Sequence, residues 1–255
     1  MRRREKFILS SIVLSLGLFG TQYVPLSYRV LGSLLFFLIA YLVSAWALFE
    51  DLEGIEWLTI VPFPAFYAVS VSLFYFLLPG NVLSLVAILA LFGVGMYGIY
   101  LTANIYSVAK IRTIQLLRAA HAVDLLFKLV MIFLLANTVF SFHFSFWVNA
   151  ALMFLATIPL ALTTLWSIEL KKTIEPHVIY ATLATSLLVG ELAMILSFLP
   201  GTLWTNSLYI VGLFYTSVGI LTTKFSGRLF QNTIWEYTTF WVLMTIVFFV
   251  LLPWK

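Results

Sequence analysis

The sequence predicts an all-α, polytopic membrane protein, and three observations support this fold class. Apolar residues make up 63% of the 255 residues and charged residues only 9%, whereas a soluble domain carries about 25% charged residues. The polar residues lie in short gaps between apolar runs of about 20 residues, the length with which a helix crosses a bilayer. The lysines and arginines concentrate in every second gap, which is typical of loops on one membrane face.

Nine apolar runs predict about nine spans. Turn-forming residues such as Pro25, Pro176 and the pair Pro200-Gly201 separate them, because proline cannot continue a helix and glycine tolerates left-handed backbone. The first run follows a basic segment, as in a signal peptide, but no small-residue cleavage site precedes Thr21, so we expect a retained helix. The predicted spans are residues 7–24, 28–48, 58–78, 82–109, 119–140, 146–166, 177–199, 203–223 and 235–252.

The distribution of basic residues predicts the orientation of these spans. With the N-terminus inside, the outer segments hold only Arg29 and Lys255, and Lys128 lies within a span. The positive-inside rule therefore predicts an inside N-terminus and an outside C-terminus. The acidic segment 50–56 is an exception on the inner side, but acids weigh little in the rule. The inner segments hold Arg2, Arg3, Arg4, Lys6, Lys110, Arg112, Arg118, Lys171, Lys172, Lys224 and Arg228.

Two similar stretches predict an internal repeat, which would divide the single membrane domain, residues 1–255, into an extra helix at 1–27 and two units at 28–142 and 143–255. Matching positions lie 119 to 122 residues apart, for example Gly98 and Gly219. Each unit would hold four helices, an even number, so the two copies would have the same orientation in the membrane. The alternative is chance similarity, since apolar segments draw on few residue types. The clearest match joins Phe76-Leu77-Leu78-Pro79-Gly80 to Phe198-Leu199-Pro200-Gly201.

The fifth predicted span carries three ionisable residues on one face. His121, Asp124 and Lys128 fall within about 60° of one another at 100° per residue. Lys128 lies ten residues beyond Arg118, about 15 Å into the membrane. Intramembrane charges face the bundle interior or a wet cavity, so these residues are candidates for a solute or proton pathway. The alternative is a structural ion pair between Asp124 and Lys128 that only orients the helix.

Polar residues of the preceding span lie at the same depth in the membrane as the ionisable residues of the fifth span. Spans four and five form a hairpin centred near Ile114, from which Asn104 and Asp124 are each ten residues away. Tyr100 and Lys128 are each fourteen residues from the same centre. We therefore expect Tyr100 and Asn104 to approach the charged face, although tyrosines in a span are also ordinary interfacial anchors.

Glu191 is the remaining deep acid. It lies fourteen residues after His177, about 21 Å along its helix, and no lysine or arginine shares that helix. Intramembrane acids often mark ion or proton pathways, so Glu191 joins the candidate site. The alternatives are a pair with Lys128 across the bundle or a neutral, hydrogen-bonded acid.

No catalytic residue, metal site or cofactor site is predicted. The chain has no cysteine, and it lacks the G-x-S-x-G and H-E-x-x-H patterns. Residues 93–98 fit G-x-G-x-x-G, but they lie inside a span, where closely packed helices are the better explanation. The acidic segment 50–56 has the oxygen ligands that a divalent ion prefers, but a solvated loop explains it more simply.

The partner predictions follow from charge. The basic residues are split among several loops, which excludes a nucleic-acid surface. The bilayer is the expected environment, and Lys110, Arg112 and Arg118 are candidates for contact with anionic lipid headgroups at the cytoplasmic face. A homo-oligomer is compatible with the sequence.

Two segments of the chain resemble a known family. They are residues 111–121, Ile-Arg-Thr-Ile-Gln-Leu-Leu-Arg-Ala-Ala-His, and residues 54–59, Gly-Ile-Glu-Trp-Leu-Thr. On these segments the chain resembles a family of uncharacterised multi-span membrane proteins from small-genome, uncultivated bacteria. The resemblance covers about the central half of the chain. It implies a bacterial cytoplasmic membrane and supplies no activity.

Three functional hypotheses remain. The leading one is transporter-like binding or translocation of a small or amphiphilic solute, including a proton-coupled form, along a polar track of Glu191, Asp124 and Lys128. The second is a structural or assembly protein without a solute pathway. The third is a membrane enzyme acting on a lipid-linked substrate near the segment 50–56.

Overall fold

The computed structural model describes residues 2–52, 54–78, 82–109 and 115–253. Over these residues the regular structure is helical, and no strand occurs. The helices are α1 (Arg3–Thr21), α2 (Arg29–Leu48), α3 (Glu56–Thr59), α4 (Pro62–Tyr75), α5 (Val82–Ala109), α6 (Leu117–Ser141), α7 (Phe146–Glu169), α8 (Pro176–Leu196), α9 (Leu203–Phe225) and α10 (Gln231–Leu251).

Eight helical segments among the described residues are long and apolar enough to cross a membrane. They are α2, the stretch Glu56–Tyr75 that contains α3 and α4, and each helix from α5 to α10. The protein is therefore a multi-pass membrane protein, as its composition predicts. Helix α1 has 19 residues but carries Arg3, Arg4, Glu5 and Lys6 in its first turns, so a ninth span there stays a prediction. The predicted N-in, C-out orientation is not tested by the fold.

Prolines divide one predicted span but not another. The span predicted at 58–78 is divided, because α3 ends at Thr59 and α4 begins at Pro62. Pro62 occupies the first turn of α4, where a missing N–H removes no helical hydrogen bond. Pro159 lies inside α7, and the helix continues through it. The Thr163 hydroxyl donates to the Pro159 carbonyl at 2.9 Å in the next turn.

The turn between α7 and α8 is closed by local hydrogen bonds. Leu170 ends α7 in the left-handed conformation with φ 49°, and its N–H donates to the Trp166 carbonyl at 3.0 Å. The indole of Trp166 donates to the Lys171 carbonyl at 3.0 Å. The predicted turn at 79–81 and the centre of the α5–α6 turn at 110–114 lie outside the described residues.

The described chain forms two compact units, Met1–Phe127 and Lys128–Lys255, and the division falls within α6. In the first unit α2 packs against α4, and α1 packs against α2 and α5. A buried hydrogen bond of 3.0 Å joins the hydroxyls of Ser33 on α2 and Ser72 on α4. The first unit is thus held by both apolar packing and a polar contact between its helices.

In the second unit α7 packs closely along α8, and α9 covers both. Gly190 permits the close approach, since a Cβ there would lie 3.0 Å from the Ala150 carbonyl oxygen. The Asn149 amide on α7 donates to the Ser197 hydroxyl at 3.0 Å. Helix α10 contacts α9, and its ring Phe248 stacks on Tyr209 with centroids 4.4 Å apart.

In each unit a polar hydrogen bond joins two packed segments, α2 to α4 in the first unit and α7 to the C-terminal end of α8 in the second, and a further helix packs on them. The predicted repeat at 28–142 and 143–255 would require a shared order of this kind. The division between residues 127 and 128 does not coincide with the predicted repeat boundary. The repeat therefore stays a prediction.

Candidate functional site

The strongest candidate site lies in the middle of α6. Asp124 and Lys128 are each only 1% exposed, and both sit on one helix face. Lys128 lies eleven residues after Leu117, about 16 Å along a helix of 25 residues. Two charge-bearing side chains are thus buried near the centre of an apolar helix, where burial without compensation costs several kcal/mol.

Ring contacts join α5 and α6. The rings of Tyr106 and His121 lie 5.5 Å apart, and their mean position in sequence is 113.5, next to the predicted centre at Ile114. Further along α6, the ring of Phe127 covers α5 at Gly98, where a Cβ would lie 3.3 Å from the ring. The Tyr106–His121 contact has the spacing that a centre at Ile114 would give, whereas the contacts of Phe127 with Gly95 and Gly98 correspond to centres near 111 and 112.5. The predicted register therefore stays a prediction. His121 itself is half-buried.

Tyr100 contacts two helices outside the α5–α6 hairpin, namely α1 and α2. Its side chain is fully buried, and its hydroxyl lies 2.9 Å from the Ser44 hydroxyl on α2. Its ring stacks on Phe7 of α1 with centroids 5.6 Å apart. Tyr100 therefore joins α1, α2 and α5, while its predicted approach to the charged face of α6 stays a prediction. A small hydroxyl such as Ser44 near the end of an apolar run is the only sequence signal for this contact.

Asn104 presents a polar atom without a local donor. Its side chain is half-buried, and among the described residues no donor lies within hydrogen-bonding range of its buried Oδ1 atom. A buried acceptor left unsatisfied costs about 1–3 kcal/mol. A water molecule or a polar solute group at Asn104 would remove this cost.

The acidic segment differs from the predicted solvated loop at one residue. Glu56, at the start of α3, is buried, so the prediction of a wholly solvated segment 50–56 is wrong at this position. The acidic neighbours of Glu56 in the sequence predict a solvated position, whereas α3 packs against α4 and buries it.

Glu50 behaves as a solvated acid with basic neighbours. It forms an ion pair with Lys6, and the Arg3 Nε atom lies 3.5 Å from its second oxygen. The hydrogen bond and charge of Lys6 hold the pKa of the Glu50 carboxyl below its usual value. Within the described ranges, no group of three His, Asp or Glu side chains is placed to hold a metal ion.

Glu191 lies on the surface of the second unit. Its side chain is exposed on α8, in line with the exposed residues Tyr180, Leu187 and Ile195 at helical spacing. Within its own unit Glu191 therefore faces away from the interior, in contrast to the enclosed position that the sequence suggested. The candidate site consequently centres on Asp124 and Lys128, with His121, Tyr100 and Asn104 as the other predicted members.

Comparison with known proteins supports an uncharacterised family. The chain matches no curated protein and no solved structure. One family model, described as "Protein of unknown function (DUF5656)", matches residues 9–251, nearly the whole chain. This confirms the expectation of a family without an assigned activity, while the bacterial source stays a prediction. The protein belongs to the DUF5656 family.

Proposed function

We propose that this protein binds and moves a small or amphiphilic solute across the cytoplasmic membrane, with Asp124 and Lys128 as its central polar contacts. The observation that carries the proposal is their shared burial, each 1% exposed, near the middle of α6. Ionisable side chains at this depth are expensive and normally line a solute, ion or proton pathway.

The surroundings support this assignment over a purely structural pair. An apolar pair of similar volume would often stabilise a helix bundle as well as a buried ion pair does, so stability alone does not account for the charges. Asn104 adds an acceptor without a described donor. The contact between the rings of Tyr106 and His121 supports a polar face shared by α5 and α6. A carboxyl group in such a pathway also supplies a site for proton coupling.

The alternative is an assembly protein, and one observation favours it. Glu191 is exposed on a helix that is long and apolar enough to cross the membrane. A carboxyl group facing lipid is costly, so a partner that covers α8 and hydrogen-bonds Glu191 would stabilise the complex. The enzyme hypothesis has less support, because Glu50 of the acidic segment is engaged by Lys6 and Arg3.

The two functions differ in whether water reaches the charged face of α6. The chain lacks cysteine, so single cysteines report without background. Ala120 and Met131 are buried at helical spacing from Asp124 and Lys128 and leave both charges in place when substituted. Leu126 of the same helix is exposed and provides the matched control.

We expect Ala120→Cys and Met131→Cys in proteoliposomes to react with a small hydrophilic thiol reagent, measured as a mass shift. Leu126→Cys should stay unmodified, since a thiol in lipid does not form the reactive thiolate. Labelling at neither buried position would favour the assembly function. Labelling only at Leu126 would show that the face opposite the charges is the wet one.

A further inference from the structure

A groove runs between α1 and α5 on the first unit. Its volume is about 420 Å³, within the range of about 300–1,000 Å³ found for small-molecule pockets. The groove is lined mainly by apolar atoms and opens at the surface of the unit. Its lining includes Ile8, Ser11, Ile12 and Ser15 from α1, and Gly93 and Val94 from α5.

The serine hydroxyls of the lining already donate hydrogen bonds within the protein. The Ser11 hydroxyl donates to the Phe7 carbonyl at 2.8 Å, and the Ser15 hydroxyl donates to the Ser11 carbonyl at 2.8 Å. Both hydroxyls are therefore satisfied within α1. The phenol of Tyr97 is the other polar group of the lining. With so few polar groups available, a sugar or an ion would lose most of its hydration in this groove, whereas a hydrocarbon chain would lose nothing.

Gly93 shapes the floor of the groove. A Cβ at this position would lie 2.8 Å from the Ser15 hydroxyl oxygen, so the absence of a side chain lets α1 approach α5 closely. The walls remain open, because Ile12 is 53% exposed and Val94 is 72% exposed. A chain lying in the bilayer thus has direct lateral access to the groove.

A cation lies at one end of the groove. Arg4 precedes Ile8 by four residues and Ser11 by seven, so it occupies the same face of α1 one turn before the lining begins. Arg4 is exposed, and no acidic side chain of the described residues pairs with it. The neighbouring Arg3 and Lys6 are instead engaged by Glu50.

We propose that this groove binds an anionic phospholipid, with one acyl chain between α1 and α5 and the phosphate at Arg4. At about 30 Å³ per water-sized group, the volume holds roughly fourteen methylene-sized groups, close to one acyl chain. The basic end matches a negative headgroup, and the apolar body matches hydrocarbon. The site is separate from the charged face of α6, so it does not depend on the solute pathway.

The test measures lipid retention by the full chain in detergent with native mass spectrometry. Phosphatidylglycerol and phosphatidylcholine with identical acyl chains are titrated in separate samples. Arg4→Gln removes the headgroup contact, and Arg228→Gln removes an exposed basic residue outside the groove as the charge-matched control. Ile12→Trp fills the groove, and Leu34→Trp, at a position equally exposed at 53%, is its control.

A second pair of variants changes the α5 wall of the groove. These variants test the proposal even if the substitutions in α1 prevent folding. Val94→Trp fills the groove from α5, whereas Leu91→Trp changes a position that is 70% exposed on the same helix but outside the lining. Circular dichroism of all variants verifies the helix content, so that a lost lipid is compared only among folded proteins.

We expect the wild type to hold one phosphatidylglycerol more tightly than phosphatidylcholine, and Arg4→Gln to weaken the phosphatidylglycerol complex by about fivefold. The filling variants should lose the bound lipid of both kinds, and the three controls should keep it. Equal retention by the filling variants and their controls would overturn the proposal, as would equal affinity of the wild type for both lipids. A wild-type dimer that becomes a lipid-free monomer on filling would show that a second chain occupies the groove instead.

Discussion

Removing one charge from the middle of α6 should destabilise the protein more than removing both. Asp124 and Lys128 are each 1% exposed and four residues apart on one helix face. Truncating one member of such a buried pair leaves the other uncompensated, which costs about 3–5 kcal/mol. Since 1.4 kcal/mol is a factor of ten, the ratio of folded to unfolded protein should fall by about a hundredfold to a few thousandfold.

The double change should be much milder, because two leucines fill the space and leave no buried charge. Replacing a buried pair by apolar residues is often close to neutral. The measurement is unfolding by sodium dodecyl sulfate in mixed micelles, followed by circular dichroism, for Asp124→Leu, Lys128→Leu and the double variant. Arg228→Leu, an exposed loop position, is the control and should stay within about 0.5 kcal/mol of the wild type.

Two outcomes would refute this reasoning. Equal stability of the wild type and both single variants would show that the charges are solvated. Additive losses, with the double variant as unstable as the sum of the singles, would show that Asp124 and Lys128 do not compensate each other.

Three further predictions concern orientation, pH and assembly. Single cysteines at His143 and Lys171, both exposed, should differ in whole cells, with an impermeant thiol reagent labelling the first but not the second; the reverse pattern would overturn the predicted orientation. Because Lys6 lowers the pKa of Glu50, their contact should hold above the usual value of 4.5 and weaken as the pH falls through the lowered one. The protection of the first turn of α1 against hydrogen exchange, corrected for the pH dependence of the intrinsic exchange rate, should fall with acid in the wild type but not in Glu50→Gln, and identical acid responses would contradict this. Glu191→Gln should leave the unfolding free energy of the isolated chain within about 0.5 kcal/mol, and a larger loss would show that a partner or another part of the chain buries this side chain.

Helix positions could be predicted closely from the sequence, because apolar runs end where polar and turn residues begin. Helix α5 has the predicted bounds 82–109. Helix α6 begins two residues before the predicted span 119–140 and ends one residue after it. The division of the third span at Pro62 follows from proline chemistry. The same rule does not apply at Pro159, because hydroxyls and neighbouring helices can satisfy the freed backbone groups of a membrane helix.

Side-chain environments were less predictable, because they depend on which helix face meets which neighbour. The buried face of α8 carries small residues such as Thr182, Ser186 and Gly190, as is usual where membrane helices pack, and Glu191 lies on the exposed face. The α5–α6 hairpin predicts an approach of Tyr100 to α6, whereas α1 and α2 supply its observed contacts. The acidic neighbours of Glu56 predict a solvated position, whereas packing of α3 buries it. The burial of Asp124 and Lys128 could be predicted from the sequence, because a charge exposed to lipid is costly and the protein interior is the favourable location.

The most direct test of the central claim is a cryo-electron microscopy map of the protein in a lipid nanodisc, detailed enough to show ordered water. A solute pathway requires that Asp124 and Lys128 contact water or a bound polar molecule continuous with one membrane face. We therefore expect such density beside both side chains on α6. Density in which protein side chains alone enclose both groups, with no water between them and either membrane face, would contradict the proposed pathway.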